Sequence, residues 1–253
     1  MPKPTVAIVG LGLIGGSLAR ALSRAGYGVV GVDRDSVRRR AVRAGAVAGT
    51  TGTVEAAAGV DVVVLAAPPE ANLRLLRRLA RVARPGLVIT DVGSVKRPIA
   101  DEARRLGLGG FVPGHPLAGN EGAGFPASTP ELFRGRPWAL APVRDGRALR
   151  LVRGLVRAVG ARPVAVEPAA HDRAVAFLSH VPQVVAWALG AAAREDASAA
   201  RWMALAGPGF RDMTRLAGSP RPLWREILAQ NDAEVGRALR AFVRALRREW
   251  RTR

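Results

Sequence analysis

Cysteine is absent from the 253 residues, which excludes disulfides, thiolate–zinc sites and cysteine nucleophiles. Histidine is nearly as scarce: His115, His171 and His180 are the only three, and no two are spaced like a metal-binding pair. The chain enters an apolar strand pattern almost at once, without the basic and apolar regions of a signal peptide. No run of about 18 uncharged apolar residues occurs, because Asp61 and the prolines interrupt the best candidates. A soluble, cytoplasmic protein is therefore expected. Lysine stands only at positions 3 and 96, which leaves 37 of the 39 basic residues as arginine, and the net charge is +19. With so much alanine, glycine and proline, this bias looks like composition pressure more than a designed surface. The arginines are scattered over presumed outer helix faces (Arg38 to Arg40, Arg77, Arg78, Arg247, Arg248) and form no stripe interleaved with aromatics. A specific nucleic-acid groove needs such a stripe, so none is expected. A positive field would instead draw in a small anion.

What is present begins at Val6-Ala7-Ile8-Val9-Gly10-Leu11-Gly12-Leu13-Ile14-Gly15. An apolar run ends in G-x-G-x-x-G, and a helical pattern (Leu18, Ala21, Leu22) opens at once. Gly10 permits the tight turn, Gly12 lets backbone approach a pyrophosphate, and Gly15 lets the helix pack closely on a sheet. The free N–H groups of that helix then face the phosphates. A second apolar segment, Tyr27 to Val32, ends in Asp33, where a dinucleotide fold places the acid that binds the adenosine ribose diol. That carboxylate repels a 2′-phosphate, which favours NAD over NADP. Arg34 complicates the choice: it can pair with such a phosphate, stack on adenine or lie in solvent. Leu13, Ile14, Ala67 and Pro68 complete the expected cofactor-binding set.

Strand and helix patterns alternate through the first two thirds. Helices are expected near residues 35–44, 98–106 and 147–159, and one more over Leu73 to Ala83. Strands are expected near Ala46–Ala48, over Asp61–Ala67 and Leu87–Asp91, at Phe111-Val112, over Trp138–Ala141 and over Pro163–Val166. This is the alternation of an α/β, doubly wound parallel sheet of Rossmann type. From about Pro168 strand signals vanish, and helices are expected through Leu189, near 198–206 and 212–217, and from about 220 to 250. The expected domains are residues 1–167, binding the dinucleotide, and 168–253, all helical. Several apolar helices in so short a segment cannot bury themselves alone, so a homodimer is expected.

Three further clusters carry chemistry. Asp91-Val92-Gly93-Ser94-Val95-Lys96 stands at the carboxyl end of a strand, where open α/β sheets bind ligands, although Ser94 could also simply cap a helix. Gly114-His115-Pro116-Leu117-Ala118-Gly119 puts a histidine on what reads as a constrained loop after a strand. In Ser179-His180-Val181-Pro182-Gln183, the proline cannot donate to the carbonyl of Leu178, so the helix should kink and open polar groups to a cleft. Further on, Gly209-Phe210-Arg211-Asp212-Met213-Thr214-Arg215 places two arginines four apart on one helix face, and an arginine grips a carboxylate bidentately.

Taken together and in this order, these motifs resemble those of the prephenate/arogenate dehydrogenases of tyrosine biosynthesis. The resemblance spans nearly the whole chain and implies an NAD-dependent oxidative decarboxylation. It implies that His115 is the base taking the carbinol proton, and that Ser94 orients His115 and touches the nicotinamide end. Arg215 would bind a substrate carboxylate, Ser179 and His180 would line the substrate side, and Glu121 its mouth. The chain departs from the family pattern at Gln183, where a second histidine is common, and at Asn120, where a threonine is common. Both positions are implied to lie near the substrate side chain, a keto acid in prephenate and an amino acid in arogenate, so the preference between the two stays open.

Overall fold

Runs rich in β-branched residues separate the glycine turns, and the first six pair into one parallel sheet. The strands are β1 (Val6–Val9), β2 (Val29–Val32), β3 (Gly49–Thr51), β4 (Val62–Leu65), β5 (Val88–Asp91) and β6 (Phe111–Val112). Their order is β3-β2-β1-β4-β5-β6, with β1 in register between Val29–Val32 and Val62–Leu65. A computed structural model describes residues 2–120, 122–195, 198, 201 and 203–251. The chain divides into two compact units, Met1–His171 and Asp172–Arg253.

Alternation along each strand sorts side chains onto two faces. Val6, Ile8, Val62, Val64 and Val88 enter one core layer with Leu18 and Leu22 of α1 (Leu13–Arg24), Ala41 of α2 (Asp35–Arg43) and Val152 and Leu155 of α5 (Gly146–Ala158). Ala7, Val9, Val63, Leu65 and Ile89 enter the other, with Leu76 and Leu79 of α3 (Pro69–Ala80) and Ile99 and Ala103 of α4 (Arg97–Arg105). Helices on both faces explain why these strands read as continuous apolar runs rather than alternating ones. The Rossmann-like sheet expected from the sequence is thus present, with its topological switch between β1 and β4.

Two expectations need correction. The third strand begins at Gly49, not Ala46: Ala46 and Val47 turn into the core, where the Ser23 hydroxyl donates to the Ala46 carbonyl at 2.8 Å. The later strands do not extend the parallel sheet. β7 (Gly114–Pro116) pairs antiparallel with β8 (Pro137–Leu140), which pairs parallel with β9 (Arg162–Ala165), in a separate three-stranded sheet. Pro113 lies between β6 and β7 and has no N–H to donate, so the chain changes sheets there.

In the helical unit, α6 (Pro168–Val175) passes through a π-helical turn (Ala176–His180) into α7 (Val181–Glu195). The expected kink is this local π turn, the usual way a helix absorbs a disturbed hydrogen-bond ladder. Because Pro182 does not end the helix, residues Pro168–Glu195 are long and apolar enough to cross a membrane by length and composition. That corrects the expectation of no such run, in which the proline counted as a break. α8 (Pro208–Thr214) leads into a 3₁₀ turn (Arg215–Gly218), then α9 (Arg221–Gln230) and α10 (Asp232–Arg251). The single long helix expected over 220–250 is broken at Asn231, whose side-chain amide donates to the Asp172 carbonyl at 2.8 Å instead of facing solvent. The helix expected near 198–206 lies largely outside the described residues.

Candidate active site

Loops at the carboxyl ends of the strands carry the first group of expected residues. Gly10 follows β1 with φ +97°, and a Cβ there would sit 2.7 Å from the Ala66 carbonyl carbon. A Cβ on Gly15 would fall 1.8 Å from the Gly10 carbonyl oxygen, so the first turn of α1 packs against the loop itself. Gly12 meets nothing within 4 Å, leaving open space beside the first turn of α1. No side chain caps that helix, and its first turn holds no acid, so its leading N–H groups are available to an anion. Leu13 and Ile14 belong to the same half-buried turn. A diphosphate fits this donor set.

Asp33 follows β2 and does more than the sequence suggests. One carboxylate oxygen accepts from the Leu11 N–H at 2.6 Å, and the other from the Arg34 N–H at 2.7 Å. It therefore ties the glycine loop to the second strand while keeping lone pairs for a ribose diol. The Arg34 side chain is exposed. The loop after β4 holds Ala67 and Pro68, and a residue missed by sequence reasoning braces it: buried Asn72 accepts from the Ala67 N–H at 3.1 Å. Its signal was a polar residue on the inward face of α3.

After β5, Asp91 and Lys96 form an ion pair with side chains only 1 and 2% exposed. The Asp91 carboxylate accepts from the Gly114 N–H at 3.1 Å, and the Lys96 ammonium donates to the Gly114 carbonyl at 2.7 Å. Both polar groups of Gly114 are thus clamped, and the adjoining His115 is held with them. Ser94 lies half-buried on the same loop.

His115 corrects the expectation of a loop residue: it is the middle of β7, opposite Ala139 of β8, and 8% exposed. Its Nδ1 lies 2.9 Å from Nε2 of His171, and the rings meet edge to face at 74°. His115 Nδ1 thus shares a hydrogen bond with His171, a partner that sequence reasoning did not assign. Asn120 is exposed, its side-chain oxygen accepting from the Gly122 N–H at 2.8 Å, and Glu121 lies outside the described residues. A cavity of about 530 Å³ elsewhere in this unit, lined mainly by apolar residues such as Leu108, Phe111 and Val143, includes none of the expected site residues.

The second group stands on the helical unit. His180 is fully buried, with Nδ1 3.2 Å from the Asn231 amide nitrogen. Because that nitrogen also donates to the Asp172 carbonyl, it is the donor to His180, whose proton is therefore on Nε2. Gln183 is fully buried, and its amide nitrogen donates to the Leu216 carbonyl at 2.7 Å. One helical turn on, Trp187 donates to the Ala217 carbonyl at 3.3 Å. Together they pin the 3₁₀ turn that carries Arg215, an exposed side chain. Ser179 is half-buried within the π turn.

Residues 18–165 match the model of the prephenate dehydrogenase nucleotide-binding domain, and residues 167–250 that of the prephenate dehydrogenase dimerization domain. The chain belongs to the prephenate dehydrogenase family. A prephenate dehydrogenase of Bacillus subtilis is 33% identical over 92% of this chain, and the chain spans 66% of that relative's length. The solved structure of Synechocystis arogenate dehydrogenase matches with a TM-score of 0.83 at 32% identity, covering 96% of this chain and 90% of that one. Prephenate dehydrogenase from Aquifex aeolicus, in complex with hydroxyphenyl propionate and NAD+, matches with a TM-score of 0.85 at 29% identity, covering 98 and 90%. Family membership accounts for two units of different character in one chain.

Proposed function

We propose that the protein catalyses the NAD-dependent oxidative decarboxylation of prephenate to 4-hydroxyphenylpyruvate. The observation that carries this reading is His115, a buried histidine held on a clamped strand and bonded through Nδ1, in a chain that matches both family domains. With Nδ1 engaged, Nε2 is the nitrogen that takes the carbinol proton, and imidazole is the side chain commonly used for such work near neutral pH. The dinucleotide, when bound, accepts the hydride from the carbinol carbon. Loss of CO₂ then aromatises the ring, and the proton on His115 can return to the phenolic oxygen. Asp33 selects NAD by accepting from both ribose hydroxyls, and Ser94 contacts the nicotinamide end. On the helical unit, Arg215 takes a substrate carboxylate, with Ser179 and His180 beside the substrate.

Arogenate is the second reading, and one observation favours it. The Gln183 amide nitrogen is spent on Leu216, while its oxygen is buried and finds no donor among the described residues. An acceptor oxygen suits the ammonium of arogenate better than the ketone of prephenate.

We further propose a homodimer acting in the cytoplasm. The helical unit's own core is small (Ala176, Val181, Val235, Ala238), whereas Phe177, Leu178 and Trp250 stand 53, 78 and 73% exposed. Absorbance at 340 nm with NAD or NADP and each of prephenate, arogenate and a simple hydroxyacid tests the activity. Turnover of neither ring substrate would refute it, and arogenate alone would select the second reading. A monomer in light scattering at micromolar concentration would refute the assembly.

A further inference from the structure

We propose that His171 is a positioning residue that selects the reactive tautomer of His115. The proposal rests on His115 being the base of the proposed reaction. His171 is 3% exposed and lies in the first half of α6, where its backbone N–H donates to the Glu167 carbonyl at 2.8 Å. Its Nε2 faces His115 Nδ1 at 2.9 Å, a separation that holds one proton and not two.

Two arrangements of that proton exist, and only one permits chemistry. If His171 donates, His115 accepts at Nδ1 and carries its own proton on Nε2, where it has nothing to offer a hydroxyl. If His115 donates from Nδ1, its Nε2 bears the lone pair. When that nitrogen takes the carbinol proton, His115 becomes an imidazolium whose Nδ1–H still points at an acceptor. The second arrangement serves before and after the proton transfer with no proton moving between the rings. His171 must then be neutral and carry its own proton on Nδ1.

The pair therefore does for this base what an orienting group does in other catalytic histidines: it holds the ring, fixes the tautomer and receives the charged form. A neutral acceptor stabilises an imidazolium less than a carboxylate does. It suits a base that must release its proton after each turnover. Two imidazoliums would set N–H against N–H across 2.9 Å, so the geometry leaves room for one proton between the rings. The charges nearest along the chain are the clamped Asp91–Lys96 pair, which holds the Gly114 peptide, and Asp172, which follows His171.

The test compares the unaltered enzyme with His171→Gln, whose amide oxygen can accept, and His171→Phe, which keeps the ring without an acceptor. With NAD and whichever of prephenate or arogenate is turned over, His171→Phe should lower kcat by about 10–100-fold, the usual cost of losing a histidine's second partner. KM for NAD should stay within about twofold, since nucleotide contacts lie elsewhere. The acid limb of the kcat profile should move to lower pH, because the imidazolium has lost its acceptor. His171→Gln should restore most of kcat and of the limb. Independently, ¹⁵N NMR of the unaltered protein should show His115 protonated on Nδ1 and bare on Nε2 at pH 8. The proposal is overturned by His115 carrying its proton on Nε2, by an unmoved acid limb in His171→Phe, or by equal losses in both variants. If His171→Phe fails to fold, the NMR tautomer and His171→Gln still decide it. Failure of the unaltered enzyme to oxidise either substrate would sink the proposed function, while the NMR result would stand on its own.

Discussion

The sheet unit and the helical unit solve the burial problem in opposite ways. In the sheet unit, strands alternate side chains into two apolar layers, and the buried Asp91–Lys96 clamp sits at the strand ends. The helical unit has a thin apolar core and places His180, Gln183 and Asn231 inside, while Phe177, Leu178 and Trp250 stand outside. A sheet covered on both faces completes its core within one chain. The few helices of the second unit do not, and they leave large apolar side chains exposed. The difference teaches that two units of one chain can bury their apolar residues to different degrees, and on the proposed function the chemistry falls to one and the substrate carboxylate to the other.

The sharpest way to break that division is His115→Asn. General-base loss should lower kcat by about 10²–10⁴-fold while NAD affinity, measured by fluorescence titration, changes less than about twofold. Near-normal turnover, or loss of NAD binding, would remove the chemistry from the sheet unit. Next comes self-sufficiency. Lys96→Met leaves Asp91 as an unpaired buried charge and frees the Gly114 carbonyl, which should destabilise by about 3–5 kcal/mol and lower the melting temperature by about 10 °C. A calorimetric shift under about 3 °C would mean that the clamp does not support the unit.

Arg215→Ala probes the other side. A charged hydrogen-bonding partner contributes about 1.5–3 kcal/mol, so KM for the substrate should rise about 10–100-fold with a smaller change in kcat. If kcat falls and KM does not, the helical unit takes part in the chemical step and the division is wrong. The smallest effect concerns acid. The guanidiniums of Arg105 and Arg77 hold the Glu102 carboxyl down to about 2 from an ordinary value of 4.5. A depressed folded pKa contributes stability above the unfolded value, and that contribution disappears as pH falls from about 4.5 through about 2. Glu102→Gln should therefore melt about 1–2 °C lower than the unaltered protein at pH 7, with the gap closing by pH 2. A gap that persists at pH 2 would assign the loss to something other than this ion cluster.

Much of the sheet unit was legible because its signals are local. Gly10 and Gly15 are required by sterics within one turn, and the runs at Val6–Val9 and Val62–Leu65 are strands by composition and length. The later strands were recognised as strands but assigned to the wrong sheet, since a short run looks the same whether its neighbour is parallel or antiparallel. The break at Asn231 was invisible because the flanking periodicity is helical on both sides and the reason for it, the Asp172 carbonyl, lies 59 residues away. Gln183 was legible as a departure from the family pattern, but its use as a brace for Leu216 was not.

By itself the sequence determined the strand and helix alternation, the dinucleotide turn and the apolar character of the second unit, and it singled out His115 as a candidate. Periodicity and turn sterics act over a few residues, and they leave their mark on the chain directly. Only the tertiary structure decided that Lys96 and Asp91 clamp Gly114, that Asp33 braces the glycine loop and that His171 stands behind His115. Buried polar groups must find partners, but nothing in the linear order says which group 18 or 56 residues away will supply them. That choice is made where strands and helices meet.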